Sequence, residues 1–325
     1  QTDTSGQLYI EGLETVDISE KTLSEQLVTC IHQSKRAGYA LEKWEFLKDY
    51  KYSVIFTCDD FSSTLKKAKE IIPLENTYEN DYLYTSFVKP VAYSMDGYYF
   101  LKFNLAYAAI HPLTQEEFLT KYPFLVVFHE KGELIEFRFD VLKRVFLSDK
   151  KEPTIYSNLI AEMSDYFKEH FECDLIPLNL DFMVNVCKRD ENVKLIAQSM
   201  KLPNGGNAQL DVGNNQEYIL PFIGELRSLL NDNQAELEKV PDFREALEQF
   251  MFEMEEMSDY PWIELLWENE IKTRSNRVKF VFNYMNKSYC LIQYYYSNVL
   301  IGMERMNYVI EYIVNHRNDD TTQNE

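Results

Sequence analysis

Two apolar, strand-forming runs, Phe124 to His129 and Glu133 to Phe139, are separated only by Glu130-Lys131-Gly132, and this constrains the fold more than any other feature of the chain. Strands joined by so short a turn must pair antiparallel, since a parallel return needs a crossover of about a dozen residues or more. Along the second run and one residue past it, Ile135, Phe137 and Phe139 alternate less cleanly with Leu134, Glu136, Arg138 and Asp140. The alternation predicts an apolar face turned to the core and a charged face turned to water.

The segments around this hairpin keep to no regular strand-and-helix order. Leu23, Leu27, Val28 and Ile31 have helical spacing with Gly38 as a stop; Tyr52 to Cys58 reads as a short strand, and Asp59 or Asp60 then caps a helix to Ile72. Tyr82 to Ile110 reads as two or three strands broken at Pro90 and Met95-Asp96-Gly97, and Thr114 to Thr120 as a short helix. A helix from Thr154 to Phe171 is followed by strands over Asp174 to Val186 and Val193 to Met200, an apolar segment from Tyr218 to Leu230, and a helix from Asp242 to Met257. Trp262 to Ile271, Val278 to Tyr284 and Ser288 to Tyr296 read as strands, the last two forming a hairpin around Asn286-Lys287, before a final helix from Asn298 to Asn315. This succession argues against a doubly wound parallel sheet and for an α+β fold of mainly antiparallel sheets with flanking helices.

Glycine and proline number only ten each in 325 residues, below the roughly 7% and 5% of average proteins, which suits long strands and helices better than a Gly-rich nucleotide cradle. That length is enough for two subdomains. The charged, chain-breaking Lys150-Lys151-Glu152-Pro153 places their boundary, giving α+β units at 1–150 and 151–325. The five cysteines are widely spaced without a CxxC, so reduced, buried thiols are expected rather than a disulfide framework or a Cys-rich zinc site. The N-terminal QTDTSGQLYIEG lacks the basic and apolar regions of a signal peptide and no run is long enough to span a bilayer, so a cytoplasmic protein away from membranes is expected.

Charge is unevenly spread. Between Pro221 and Glu270 fourteen Asp and Glu oppose three Lys and Arg, a net of -11 out of -20 for the whole chain. Lys272, Arg274, Arg277 and Lys279 follow within eight residues. On the helix beginning at Asp242, the spacing turns Phe243, Leu247, Phe250, Met251 and Met254 inward and leaves Glu245, Glu248, Glu253, Glu255 and Glu256 largely elsewhere. Such a surface would dock a basic protein partner, compete with DNA for one, or pair head-to-tail with a second copy. The plainer reading is a soluble surface whose net charge prevents association.

Three chemical readings compete with this one. Asp59 and Asp60 at a strand end, with Glu136, would suit a magnesium-dependent phosphoryl transferase, although capping of the following helix accounts for the first two. Glu136-Phe137-Arg138 approaches the acidic-x-lysine element of metal-dependent nucleases but has Arg where Lys is required, and His129 and Glu130 on the preceding arm where Asp is required. The basic residues Lys272, Arg274, Arg277 and Lys279, with the aromatic residues up to Tyr296, would neutralise phosphates and stack on bases, against the repulsion of an acidic whole. His170 and Cys173 are too few for a structural zinc site, and no HExxH, GxSxG, P-loop or dinucleotide fingerprint occurs, so no cofactor or metal is expected. The balance favours a non-enzymatic binding or regulatory subunit of a cytoplasmic complex. Its Lys-, Asn-, Tyr- and Glu-rich usage is that of an AT-rich bacterial or phage gene, which adds nucleic-acid-related or host-phage conflict processes to the expectation.

Overall fold

The computed structural model describes residues 7–8, 16–17, 21–33, 35–71, 83–110, 115–146, 152–190, 192–201, 206–211, 223–256, 259–267, 275–295 and 302–317. A two-residue ladder joins β1 (Gln7–Leu8) to β2 (Val16–Asp17). Two helices, α1 (Leu23–Gln33) and α2 (Lys35–Leu47), then lead to β3 (Tyr52–Thr57) and α3 (Phe61–Ala68). The strands β4 (Val91–Met95), β5 (Tyr98–Ile110), β6 (Glu117–His129) and β7 (Leu134–Phe139) form a continuous antiparallel meander. After it come α4 (Glu152–Phe171), β8 (Ile176–Pro177), α5 (Met183–Arg189), β9 (Val193–Lys201) and β10 (Asn207–Asp211). Three helices, α6 (Ile223–Asp232), α7 (Gln234–Leu237) and α8 (Pro241–Glu256), cover the acidic segment; β11 (Asp259–Trp267), β12 (Asn276–Val281), β13 (Leu291–Tyr294) and α9 (Glu304–His316) complete the described chain.

All strands from β3 onward belong to one antiparallel sheet in the order β10-β9-β11-β12-β13-β3-β7-β6-β5-β4, with β8 alongside β3. The α+β class with flanking helices is what the element order predicted. Strands from both sides of residue 150 share this sheet, because β13 pairs with β3 through Ile292 and Ser53.

The predicted 124–139 hairpin is its β6–β7 ladder, with Phe128 opposite Ile135 and Leu125 opposite Arg138. Its turn touches the last helix: a Cβ on Gly132 would lie 2.8 Å from Val314 Cγ2, so a side chain there would require Val314 or the turn to shift. Arg317 adds a hydrogen bond, Nη1 donating to the Gly132 carbonyl at 3.0 Å.

Several local readings are corrected. Residues 117–120 are strand, not helix, because Phe118 to Tyr122 continue a ladder that runs unbroken from Tyr98–His129 to Ile110–Glu117. Only Ile176–Pro177 is strand within 174–186, and Met183–Arg189 is helical. Gly38 does not end a helix but lies inside α2, at a cost of about 1 kcal/mol relative to alanine that tertiary packing overrides.

Each face of the sheet has its own core. On one, Val54, Phe56, Val126, Phe128, Ile135, Phe137 and Phe139 pack against α3 and against Leu159, Ile160, Met163 and Phe167 of α4. Phe124 and Phe139 stack there at 5.5 Å. On the other, Ile55, Phe100, Leu125, Val127, Leu134, Phe280 and Ile292 pack against Phe46 of α2, Met183 of α5, and Met306, Val309, Ile310 and Ile313 of α9. Antiparallel sheets commonly leave one face to water; here helices cover both, and every residue of β7 is buried.

Candidate functional site

The two-sided cover overturns the expectation for β7. Glu136 and Arg138, expected on a water-facing side, are both 0% exposed beneath α9. Arg138 donates through Nε to Glu136 Oε2 at 2.8 Å and through Nη2 to Asn307 Oδ1 of α9 at 2.7 Å. His129 Nε2 lies 2.9 Å from the same Glu136 oxygen, and because a carboxylate only accepts, this nitrogen carries the proton. Burial works against the charge on Glu136, but Arg138 and His129 outweigh it, so the carboxyl titrates below its ordinary value. For His129 burial dominates and lowers its pKa despite Glu136. Among the described residues, Glu136 Oε1 and Arg138 Nη1 have no hydrogen-bond partner. His129 also closes one side of a cavity of about 300 Å³ between the β6–β7 turn and α9.

A second buried charge cluster was not anticipated. Lys102 of β5, 0% exposed, meets Glu45 of α2 at 2.6 Å and also pairs with Glu42. Lys121 of β6 reaches Glu45 at 2.7 Å and pairs with Glu42 as well. Burial lowers the Lys102 pKa. The cluster ties α2 to the meander. Lys102 sits in the otherwise apolar run Tyr98 to Phe103, and a charge inside such a run is the signal that points to a paired, buried site.

The proposed catalytic carboxylates are not brought together. Asp60 caps α3, its Oδ1 accepting from the Ser63 N–H at 2.8 Å, and α3 packs on the face of the sheet opposite Glu136. Asp59 and Asp60 are exposed, whereas Glu136 is enclosed. Among the described residues no group of three His, Cys, Asp or Glu side chains is placed to hold a metal ion.

The basic hairpin is likewise engaged internally. Lys272 and Arg274 lie outside the described residues. Arg277 forms an ion pair with the nearly buried Glu264 across the β11–β12 ladder, and its guanidinium lies 4.8 Å from the Tyr295 ring centre. Lys279 Nζ sits 3.6 Å from the Trp262 ring centre, and burial lowers its pKa. Phe280 and Phe282 are buried and unavailable for stacking on bases. Arg277 and Lys279 are therefore each already engaged within the fold.

The acidic helices differ in kind. Neither core cluster draws a residue from α6, α7 or α8, and Met251 is their one buried hydrophobic residue among the described side chains. The inward stripe expected on α8 is only partly observed. Leu247 is half-buried and Met251 buried, but Phe243 is 59% and Phe250 49% exposed. Residues seven apart on a helix project within about 20° of each other, so the two rings share one outward line. Asp242 is also exposed; Glu245 and Glu248 lie toward the far side of the helix, with Glu248 Oε1 accepting from Arg244 Nε at 2.7 Å. The side chains of Glu253, Glu255 and Glu256 lie outside the described residues. Leu229 of α6 and Val240, just before α8, add further exposed apolar surface.

No protein-family model and no curated protein matches the chain. Its site residues are accordingly assigned by chemistry alone. Among the described residues no helix is long and apolar enough to cross a membrane.

Proposed function

We propose that this chain is a non-enzymatic binding or regulatory subunit of a cytoplasmic complex, and that it engages a protein partner through the acidic helices α6 to α8. The observation that carries the reading is the outward pair Phe243 and Phe250, two turns apart on a helix whose surroundings are strongly anionic. Large apolar side chains spaced in this way are the anchors with which a helix enters a hydrophobic groove. The flanking carboxylates select for a groove rimmed by Lys and Arg and speed the encounter. Nucleic acid, where such a complex includes it, is held by the basic partner, since Arg277 and Lys279 are occupied within the fold.

The test uses the whole chain as bait in extract of its own host, comparing wild type with Phe243→Asp/Phe250→Asp at low and moderate salt. The expected result is a basic protein retained by wild type, weakened by salt, and absent from the double variant, with both baits giving the same circular dichroism. Equal retention by the two baits would overturn the reading. Glu245→Lys/Glu248→Lys should retain less and lose its salt dependence, because exposed charges act within about a Debye length of 10 Å.

A further inference from the structure

Strand β3 leaves the sheet at Thr57, and the chain passes through Cys58, Asp59 and Asp60 into α3. Helix α4 ends at Phe171, turns through Glu172 in the left-handed region (φ +54°) to Cys173, and enters β8. The register Phe56–Pro177 and Thr57–Ile176 draws these two exits together. There Cys58 packs against the apolar cluster that holds Cys173, the two thiols lie close enough to influence each other and Thr64 lies beside both, and Cys58 Sγ is 3.9 Å from the Thr64 hydroxyl. Lys67 of α3 holds the exit of α4 in place by donating to the Phe171 carbonyl at 2.9 Å. Cys173 is buried; Cys58 is half-exposed beside two exposed aspartates. Cys187 and Cys290 belong to the core on the opposite face of the sheet.

We propose that Cys58 and Cys173 are a reversible redox pair, oxidised to an intramolecular disulfide by a hydroperoxide and returned to thiols by a dithiol. The Cys173 thiolate attacks one peroxide oxygen, the O–O bond breaks, and a sulfenic acid and hydroxide form. The Cys58 sulfur then attacks the sulfenic sulfur; the S–S bond forms, and the departing hydroxyl takes the thiol proton to leave as water. Two thiols and one hydrogen peroxide thus yield one disulfide and two waters. Reduction transfers two electrons and two protons from the external dithiol. Sharing a proton with Cys58 lowers the pKa of the Cys173 thiol, against burial and the nearby Asp174 and Asp59, which favours its thiolate. The Cys58 thiol is pushed up, first by sharing its proton with Cys173 and then by burial, which leaves Cys173 as the sulfur that attacks the peroxide and Cys58 as the thiol that gives up its proton in the second step.

The disulfide would covalently join the exits of β3 and α4, which lie 115 residues apart in the chain (173 − 58). The decisive experiment titrates the whole wild-type chain with hydrogen peroxide at neutral pH, alkylates residual thiols, and maps peptides without reduction. The expected result is one cross-linked peptide pair, Cys58 to Cys173, restored to free thiols by dithiothreitol, and a Tm raised by about 5 °C or more in the oxidised form. Cys58→Ser should leave Cys173 trapped as sulfenic or sulfinic acid, and Cys187→Ser/Cys290→Ser should not alter the cross-link. Recovery of Cys58 and Cys173 as separate peptides, alkylated or over-oxidised, after one equivalent of peroxide would overturn the proposal, as would equal cross-linking to Cys187 or Cys290.

Discussion

In β7 the charged face of the strand is buried as completely as the apolar one: Glu136 and Arg138 are as inaccessible as Phe137. In α8 the apolar side is in part the exposed one, with Phe243 and Phe250 in solvent while Met251, a neighbour in sequence, is enclosed. The polarity of a face therefore does not decide its burial; what the rest of the chain lays over it does. On β7 the cover is α9, which supplies Asn307 to Arg138 across 169 residues of sequence. Among the described residues nothing comparable covers Phe243 and Phe250, and the proposed docking of α8 to another molecule rests on this difference.

The largest expected effect breaks the buried side of the comparison. Arg138→Ala leaves Glu136 charged and enclosed with only His129 beside it, and should cost about 3–5 kcal/mol, read from chemical denaturation. Glu136→Gln/Arg138→Met, which removes both charges at similar volume, should cost far less and is expected to be neutral or stabilising. If the double variant is as unstable as the single one, the ion pair acts mainly through its hydrogen bonds to α9.

Why one face of this hairpin was legible and the other was not follows from the same geometry. Ile135, Phe137 and Phe139 are apolar at a period of two, and any sheet must bury such a set. Glu136 and Arg138 carry the pattern of a wet face, and nothing local to residues 124–139 reveals that α9 will cover them. The pairing of β13 with β3 was equally invisible, since it depends on contacts more than two hundred residues apart. The cap by Asp60 was legible because it is made within four residues. On α8 the helical period correctly marked an apolar side, but a period cannot report how far that side is rotated from the protein. Lys102, lodged in an aromatic run, offered a local signal that went unread.

A smaller effect follows from titration and sharpens the contrast between enclosed and open charge. His129 has a folded pKa below its ordinary value, so the unfolded chain binds more protons as the pH falls through about 6.5, and stability declines from there toward the folded pKa. The lowered carboxyl of Glu136 acts in the same direction at more acid pH: its contribution is present above its ordinary range and is lost as the pH falls toward its folded value. Each unit of pH in these windows changes stability by up to about 1.4 kcal/mol per group. His129→Phe should flatten the slope between about pH 6.5 and 5. An unchanged slope in that variant would assign it to other groups.

Asp60 lies between the two extremes, neither buried nor free for a partner. Asp60→Ala should cost about 1 kcal/mol by leaving the Ser63 N–H without its cap, and Asp60→Ser should recover most of it. Calorimetric titration with magnesium before and after the substitution separates capping from chemistry. A site-specific affinity that disappears with Asp60 would return this residue to the catalytic candidates.

The smallest expected effect on stability falls on the open side of the comparison. Phe243→Ser/Phe250→Ser removes two aromatic rings, yet each is at least 49% exposed, so thermal denaturation should move by no more than about 0.5 kcal/mol for each. The same substitutions should abolish partner capture, because the rings act as anchors only once a groove desolvates them. A buried aromatic residue truncated this far costs about 3–5 kcal/mol, so the two outcomes are well separated. A loss of that size would mean that Phe243 and Phe250 are covered in solution, and α8 would then join β7 as a face enclosed by its own chain.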